Sequence, residues 1–351
     1  MAVIRATVRE QDFAISAATM EGRLDADAAG LRRADLADAA LAALAPRVLA
    51  DFVQRNGRVR GGGMAVVLLG KAGGREMMMG SDLDLMFVYD HPEDVTESRG
   101  ARALPASQWF IRLVHGFVAA LTAPDAEGPI YAVDMRLRPS GNKGPVAVPL
   151  AGFARYHAAE AWTWERMALT RARVVAGPPA LRRRVEAAIA AGVAAAGAPA
   201  KIRADAAAMR TRLQRDLPAT GPWDVKHRAG GQMEVEFIAQ ALQLVHAPAD
   251  AALASPTTRV ALARLARAGR LGEADAALLT RADHVWRSVQ GLLRLFHGRT
   301  PPERLAAPAL AALAGAIGAG PVDSAALHAI LDALARQVRR AFIEHVGEVG
   351  P

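Results

Sequence analysis

Residues 64–90 read MAVVLLGKAGGREMMMGSDLDLMFVYD, and their pattern decides the fold. Residues 65–69 are an apolar run that ends in Gly70-Lys71-Ala72-Gly73-Gly74; a second run, residues 83–89, begins at Ser81-Asp82-Leu83-Asp84. Short apolar runs bounded by glycine or polar turns predict buried strands. Side chains alternate along a strand, so Asp82 and Asp84 project from one face, two residues apart. Carboxylates held that close repel each other unless a cation lies between them. Carboxylate oxygens suit Mg²⁺, usually completed by water and substrate phosphates. The glycines upstream leave backbone N–H groups open to a phosphate. A lone D-x-D is commonly a solvated loop, but with the glycine turn before it and apolar runs on both sides it predicts a metal-assisted nucleotide site.

A third acid strengthens that reading. Residues 130–138, IYAVDMRLR, alternate: Val133, Met135 and Leu137 on one face, Asp134, Arg136 and Arg138 on the other. A carboxylate with two arginines beside it fits two Mg²⁺ ions and a triphosphate. The plain alternative is an edge strand with a polar side, which leaves the recurrence of the same chemistry unexplained. Residues 139–145, PSGNKGP, are turn chemistry throughout and lead to a short returning strand at 146–148. A hairpin beside the acids is expected, with Lys143 at its tip either reaching a phosphate or simply solvated.

In order along the chain, G-K-x-G-G-R-E, S-D-L-D-L and D-M-R-L-R-P-S-G-N-K-G-P resemble the signatures of the glutamine synthetase adenylyltransferase family. That family belongs to the nucleotidyltransferase superfamily with the polymerase-β-like palm. The resemblance implies an α+β fold: a small mixed β-sheet with flanking helices, followed by an all-α bundle. It implies ATP as substrate, two Mg²⁺ ions, and transfer of AMP to a tyrosine hydroxyl of glutamine synthetase with release of pyrophosphate. Glutamine and a PII-type signal protein are implied as regulators. Asp82, Asp84 and Asp134 are then the catalytic, metal-holding acids. Gly70, Lys71, Gly73, Gly74, Ser81, Arg136, Arg138 and Lys143 are the expected nucleotide contacts.

Two further stretches carry the resemblance. E-A-W-T-W-E at 160–165, followed by A-L-T-R-A-R-V at 168–174, looks like the transferase half of these proteins. The half that removes AMP by phosphorolysis tends to carry G-R-D-W-E-R instead. Glu165 and Arg171 are secondary candidates here, although two tryptophans and two glutamates also suit a helix packed on a sheet. Residues 224–237, DVKHRAGGQMEVEF, match D-x-K-x-x-x-G-G-x-x-x-x-E-F. Lys226 before a glycine pair could hold an anion at a helix N-terminus, and Glu236 shares a helix face with Gln240 and Gln243. Alternatively, Gly230-Gly231 only permits a close helix–loop approach. Family proteins are expected to be about twice as long as this chain and to contain both halves, which makes it a C-terminal half.

Composition bounds the rest. The chain has 351 residues, 52% hydrophobic and 22% charged, the balance of a globular protein. A net charge of +8 and a pI near 10.6 suit a polyanionic partner, whether ATP or nucleic acid. A general alanine and arginine bias would produce much of the same excess. A nucleotidyltransferase acting on RNA ends is therefore the rival enzyme, but it needs a basic groove with exposed aromatics, and the few aromatics fall mostly in apolar stripes. A nucleotide-binding regulatory module is the non-enzyme rival, and three acids argue against it. No nucleic-acid partner is expected. The absence of cysteine excludes disulfides, thiolate catalysis and Cys-ligated zinc.

Arg5 and Arg9 are not followed by an apolar core, so no secretory signal is expected. Residues 305–322 are uncharged and near spanning length, but Pro308 and Pro321 interrupt them, so a helix and loop are expected. The expected compartment is the cytoplasm, without membrane contact. The expected organisation is a helical lead-in (1–60) carrying no chemistry, a catalytic domain (61–177) and a helical bundle (178–351). Residues 34–52 show helical spacing with a break risk at Pro46, and residues 109–121 form an amphipathic helix. Six helical stretches lie at 181–195, 202–217, 233–245, 260–268, 274–296 and 325–346, with a break expected at Pro301-Pro302 among others.

Overall fold

The two apolar runs of the opening stretch lie side by side as antiparallel strands in the computed structural model, which describes residues 1–100, 102–124, 128–298 and 304–350. In chain order, α1 (Ala2–Met20) and α2 (Ala26–Asn56) precede β1 (Gly63–Leu68), the one-turn α3 (Gly70–Gly73), β2 (Leu83–Asp90) and α4 (Ala106–Thr122). Then come β3 (Val133–Asp134), β4 (Ala147–Pro149), α5 (Leu150–Ala159), α6 (Thr163–Leu169), β5 (Arg173–Ala176) and α7 (Pro179–Ala194). Six more helices follow: α8 (Pro199–Asp216), α9 (Gln232–His246), α10 (Thr258–Arg267), α11 (Glu273–His297), α12 (Ala307–Ala316) and α13 (Ser324–His345). This is the α+β class with a small mixed sheet. No single helix among the described residues is long and apolar enough to cross a membrane. Two expected features, the Pro301-Pro302 break and part of the loop before β3, lie outside the described residues.

Packing divides the chain into two units: Met1–Phe13 with Arg33–Ala195, and Ala14–Arg32 with Ala196–Pro351. Helix α7 therefore goes with the sheet rather than with the bundle, because it packs on α5, α6, β1 and β5.

The sheet order is β3-β2-β1-β5, with β4 also paired to β2. Alternation sorts its side chains. Val66, Leu68, Leu83, Leu85, Phe87 and Tyr89 join one hydrophobic cluster with Leu41 and Leu44 of α2 and Phe110, Leu113, Phe117 and Leu121 of α4. Asp84 thus takes the other face, with Met86 and Val88. Pro46 does not break α2, which runs through it. Losing one helical hydrogen bond costs about 3 kcal/mol, and the buried Leu41, Leu44 and Phe52 on either side outweigh it.

The strand expected at 130–138 is only two residues long. Asp134 accepts a hydrogen bond from the Arg136 backbone N–H at 2.8 Å, so its side chain offers the backbone a turn in place of the ladder. The expected hairpin is also absent. β4 runs parallel to β2 at Phe87–Tyr89, just as β3 runs parallel to it at Leu83–Asp84. Residues 133–149 thus form an interrupted edge strand, and the intervening PSGNKGP turn bulges outward from that edge.

In the second unit, α9 is the central helix, touching α8, α10, α11 and α13. Val235, Ile238, Leu242 and Leu244 bury its apolar side. Arg210 of α8 and Glu234 of α9 form a wholly buried pair at 2.9 Å, and the second Glu234 oxygen accepts from the Gly230 N–H.

Candidate active site

Asp84 and Asp134 are direct cross-strand neighbours in the β2–β3 pair, one residue after Leu83 and Val133. Leu83 donates its N–H to the Ala132 carbonyl at 2.8 Å, which fixes that register. Asp82, half-buried, precedes β2 by one residue. The Arg136 guanidinium binds Asp134, with Nε 2.8 Å and Nη2 2.5 Å from Oδ2. That hydrogen bond holds the Asp134 carboxyl below the usual carboxylate range. The Arg136 pKa is raised by the same bond, and further by the charges of Asp84 and Asp82. All three acids therefore act on one guanidinium.

The donor set is all carboxylate, which fits Mg²⁺, and the position already accepts a cationic group. The acids are not closed into a cage. Among the described residues, the three-ligand groups with every ligand atom within 4.8 Å are Asp25–Asp27–His284 and Asp275–Glu344–His345 in the second unit. In the first of these, Asp27 is already paired with Arg259 and Arg287.

The glycine turn comes directly against the acids. Gly70 has φ +54°, and a Cβ there would lie 1.9 Å from Asp84 Oδ2. Gly73 and Gly74 act differently from the expectation that their amides face phosphate. Their N–H groups bond the Leu69 and Gly70 carbonyls, at 2.8 and 3.0 Å. What they require is space: a Cβ would lie 2.1 Å from the Arg171 carbonyl at Gly73, and 2.2 Å from Arg171 Nη2 at Gly74. Lys71 is half-buried in this turn, and the Ser81 hydroxyl accepts from the Met78 N–H at 3.0 Å, closing the turn before Asp82.

The other basic candidates divide. Lys143 is exposed on the bulging turn. Arg138 is buried and folds back on its own loop, donating to the Met135 carbonyl at 2.7 Å and to Gly144 at 3.2 Å. Arg171 is also buried, paired with Glu76 at 2.5 Å and donating to the Gly70 carbonyl at 2.9 Å. Glu165 accepts from the Tyr156 hydroxyl at 2.8 Å and from the Trp162 N–H at 2.8 Å, locking the start of α6. These three hold the scaffold.

Lys226 and Glu236 lie in the second unit. The N–H groups of Gln232 and Met233, at the start of α9, already bond the Val225 and Lys226 carbonyls at 2.9 and 3.3 Å, so that helix end is capped by the chain itself rather than left for an anion. Gly230 lies against α13, where a Cβ would be 1.8 Å from the Ala335 carbonyl. Close approach is therefore what the glycine pair provides. Glu236 is half-buried on α9; on its helix face, Gln243 accepts from the Ser255 N–H at 2.7 Å.

Sequence reasoning passed over Asp35 and Asp38 on α2, which reach the glycine turn through Arg75 and Arg173. It also passed over Glu234 and Arg210. Glu76 lay within the quoted motif, but its burial could not be read from the motif.

A small mixed sheet with paired acids at one edge and a glycine turn beside them defines an α+β protein of nucleotidyltransferase type. The model of the glutamate-ammonia ligase adenylyltransferase family matches residues 1–188, and the chain belongs to that family. A second model, GlnD PII-uridylyltransferase, matches residues 200–345. Relatives named bifunctional glutamine synthetase adenylyltransferase/adenylyl-removing enzyme include that of Xanthobacter autotrophicus, 41% identical over 95% of this chain and 34% of its own length. The Caulobacter vibrioides relative is 45% identical over 84% of the chain and 29% of its own. The chain spans about a third of the length of these curated relatives, not the half expected from the sequence.

Proposed function

We propose that this chain transfers AMP from ATP to a tyrosine hydroxyl of glutamine synthetase. The observation that carries the reading is the in-register Asp84–Asp134 pair with Gly70 packed on Asp84. It is supported by membership of a family named for this activity. The tyrosyl oxygen forms a bond to the α-phosphorus as the bond from that phosphorus to the bridging oxygen breaks, and pyrophosphate leaves with the electron pair. Asp82, Asp84 and Asp134 would hold Mg²⁺, which when bound supplies charge neutralisation on the phosphates and a lower pKa for the hydroxyl. We assign Asp134 as acceptor of the tyrosyl proton, with Arg136 turned from Asp134 to the triphosphate. Lys71 and Lys143 supply further positive potential to the phosphates. Positioning and electrostatics of this kind account for most of the rate in phosphoryl transfer generally.

The relatives are named for removal of AMP as well as its addition, and the E-A-W-T-W-E stretch is what favours addition here. Cytoplasm as compartment, glutamine and a PII-type protein as regulators, and the two-metal stoichiometry belong to the same proposal. The test is incubation with α-labelled ATP, Mg²⁺ and glutamine synthetase. Label should enter the wild-type reaction and be lost with Asp82→Asn and with Asp134→Asn, both still folded by circular dichroism. Normal labelling by either variant sinks the mechanism, and labelling of tRNA instead sinks the substrate.

A further inference from the structure

One side of the glycine turn is held by charged groups, two of which, Asp35 and Asp38, lie on α2, where the sequence pointed to no chemistry. Arg173, at the start of β5, donates from Nη2 to the Ala72 carbonyl at 3.1 Å and from Nε to the Gly73 carbonyl at 3.3 Å. The same guanidinium forks onto Asp38 of α2, at 2.5 and 2.9 Å. Arg171 takes the Gly70 carbonyl and is anchored on Glu76. The turn ends at Arg75, which has φ +59°, costly for a residue with a side chain, and is paired with Asp35 of α2. Three carbonyls and a strained residue are thus fixed from that side, two of the anchors lying on the helix that precedes the sheet.

We propose that the Asp38–Arg173 pair is a positioning device for nucleotide binding, holding the 70–76 turn at the height that sets Gly70 against Asp84. Neither residue touches the phosphates. Their effect passes through the Ala72 and Gly73 carbonyls. A planar fork is needed, because one guanidinium must meet two carbonyls and a carboxylate at once, which a lysine ammonium on a single flexible stem does not match. The inference rests on the nucleotide reading of the turn.

The test compares wild type, Asp38→Asn and Arg173→Lys for binding of a non-hydrolysable ATP analogue by calorimetry and for backbone hydrogen exchange. Both variants should bind the analogue about tenfold more weakly. Peptides covering residues 69–76 should exchange about tenfold faster while the rest of the sheet keeps its protection. Asp90→Asn, which breaks the Arg184–Asp90 surface pair, is the control and should change neither. Unchanged binding in both variants, against a wild type that binds, overturns the positioning role and leaves the AMP-transfer proposal standing. Faster exchange across the whole sheet in step with weaker binding makes the pair merely structural and overturns it too. A wild type that binds no analogue removes both proposals together.

Discussion

Asp84 and Asp134 occupy paired positions on parallel strands β2 and β3, on the face of the sheet turned away from α2 and α4. On the proposed mechanism both acids hold the metal and fail as a unit, so their substitutions should not add. Each of Asp84→Asn and Asp134→Asn is expected to lower AMP transfer by about 10³-fold, and the double variant by no more than that. Initial rates for the four proteins decide it; additive losses would mean two independent roles.

Gly70→Ala should damage activity more than its size suggests. The new methyl would lie 1.9 Å from Asp84 Oδ2, on a backbone with φ +54°. Strain of that kind costs about 1–3 kcal/mol, and an acid displaced by about 1 Å costs roughly 10²-fold in rate. Denaturant midpoints and initial rates separate the two effects. A full-rate alanine variant would show that the turn does not set the acid.

The Arg171–Glu76 pair is buried at both ends. Glu76→Gln leaves a guanidinium uncompensated and should cost about 3–5 kcal/mol. Replacing both partners together, Arg171→Met with Glu76→Leu, should cost less in stability than Glu76→Gln alone. Urea unfolding of the three proteins measures the difference.

His157 gives the fold an acid limit. Burial pushes its pKa down to about 4 from 6.5, with the Arg166 charge adding to the effect. Below pH 6.5 the unfolded chain takes up a proton here that the folded chain refuses until about pH 4. Stability should therefore fall with acid across that window, by about 3 kcal/mol in all. His157→Leu should flatten this part of the profile, and an unchanged slope between pH 6.5 and 4 would remove His157 as its source.

Most of the sheet's inner order could be read from the chain. The runs at 65–69 and 83–89 became β1 and β2, and the stripe from Phe110 to Leu121 became the buried face of α4. The glycine turn and the three acids stood out as candidates because residue type, spacing and order all agreed; the structure adds that Gly70 lies against Asp84 and Asp84 beside Asp134. The division of labour among the arginines was not. Arg136, Arg138 and Arg171 look alike in sequence, yet one lies on an acid, one holds its own loop and one is buried against Glu76. An arginine reaches several ångströms in many directions, so its partner is fixed by whatever packs around it.

What the sequence determined by itself is the local geometry: alternation puts Asp82 and Asp84 on one side, and glycines permit the tight turn before them. Only the tertiary structure decided the register that brings Asp134 beside Asp84. The same holds for the parallel direction of β4 and for the reach of Asp35 and Asp38 from α2 to the turn. Those relationships join residues far apart in the chain, and no local propensity distinguishes one distant partner from another. They are settled by burial of a shared core and by pairing of the charges left at its edge.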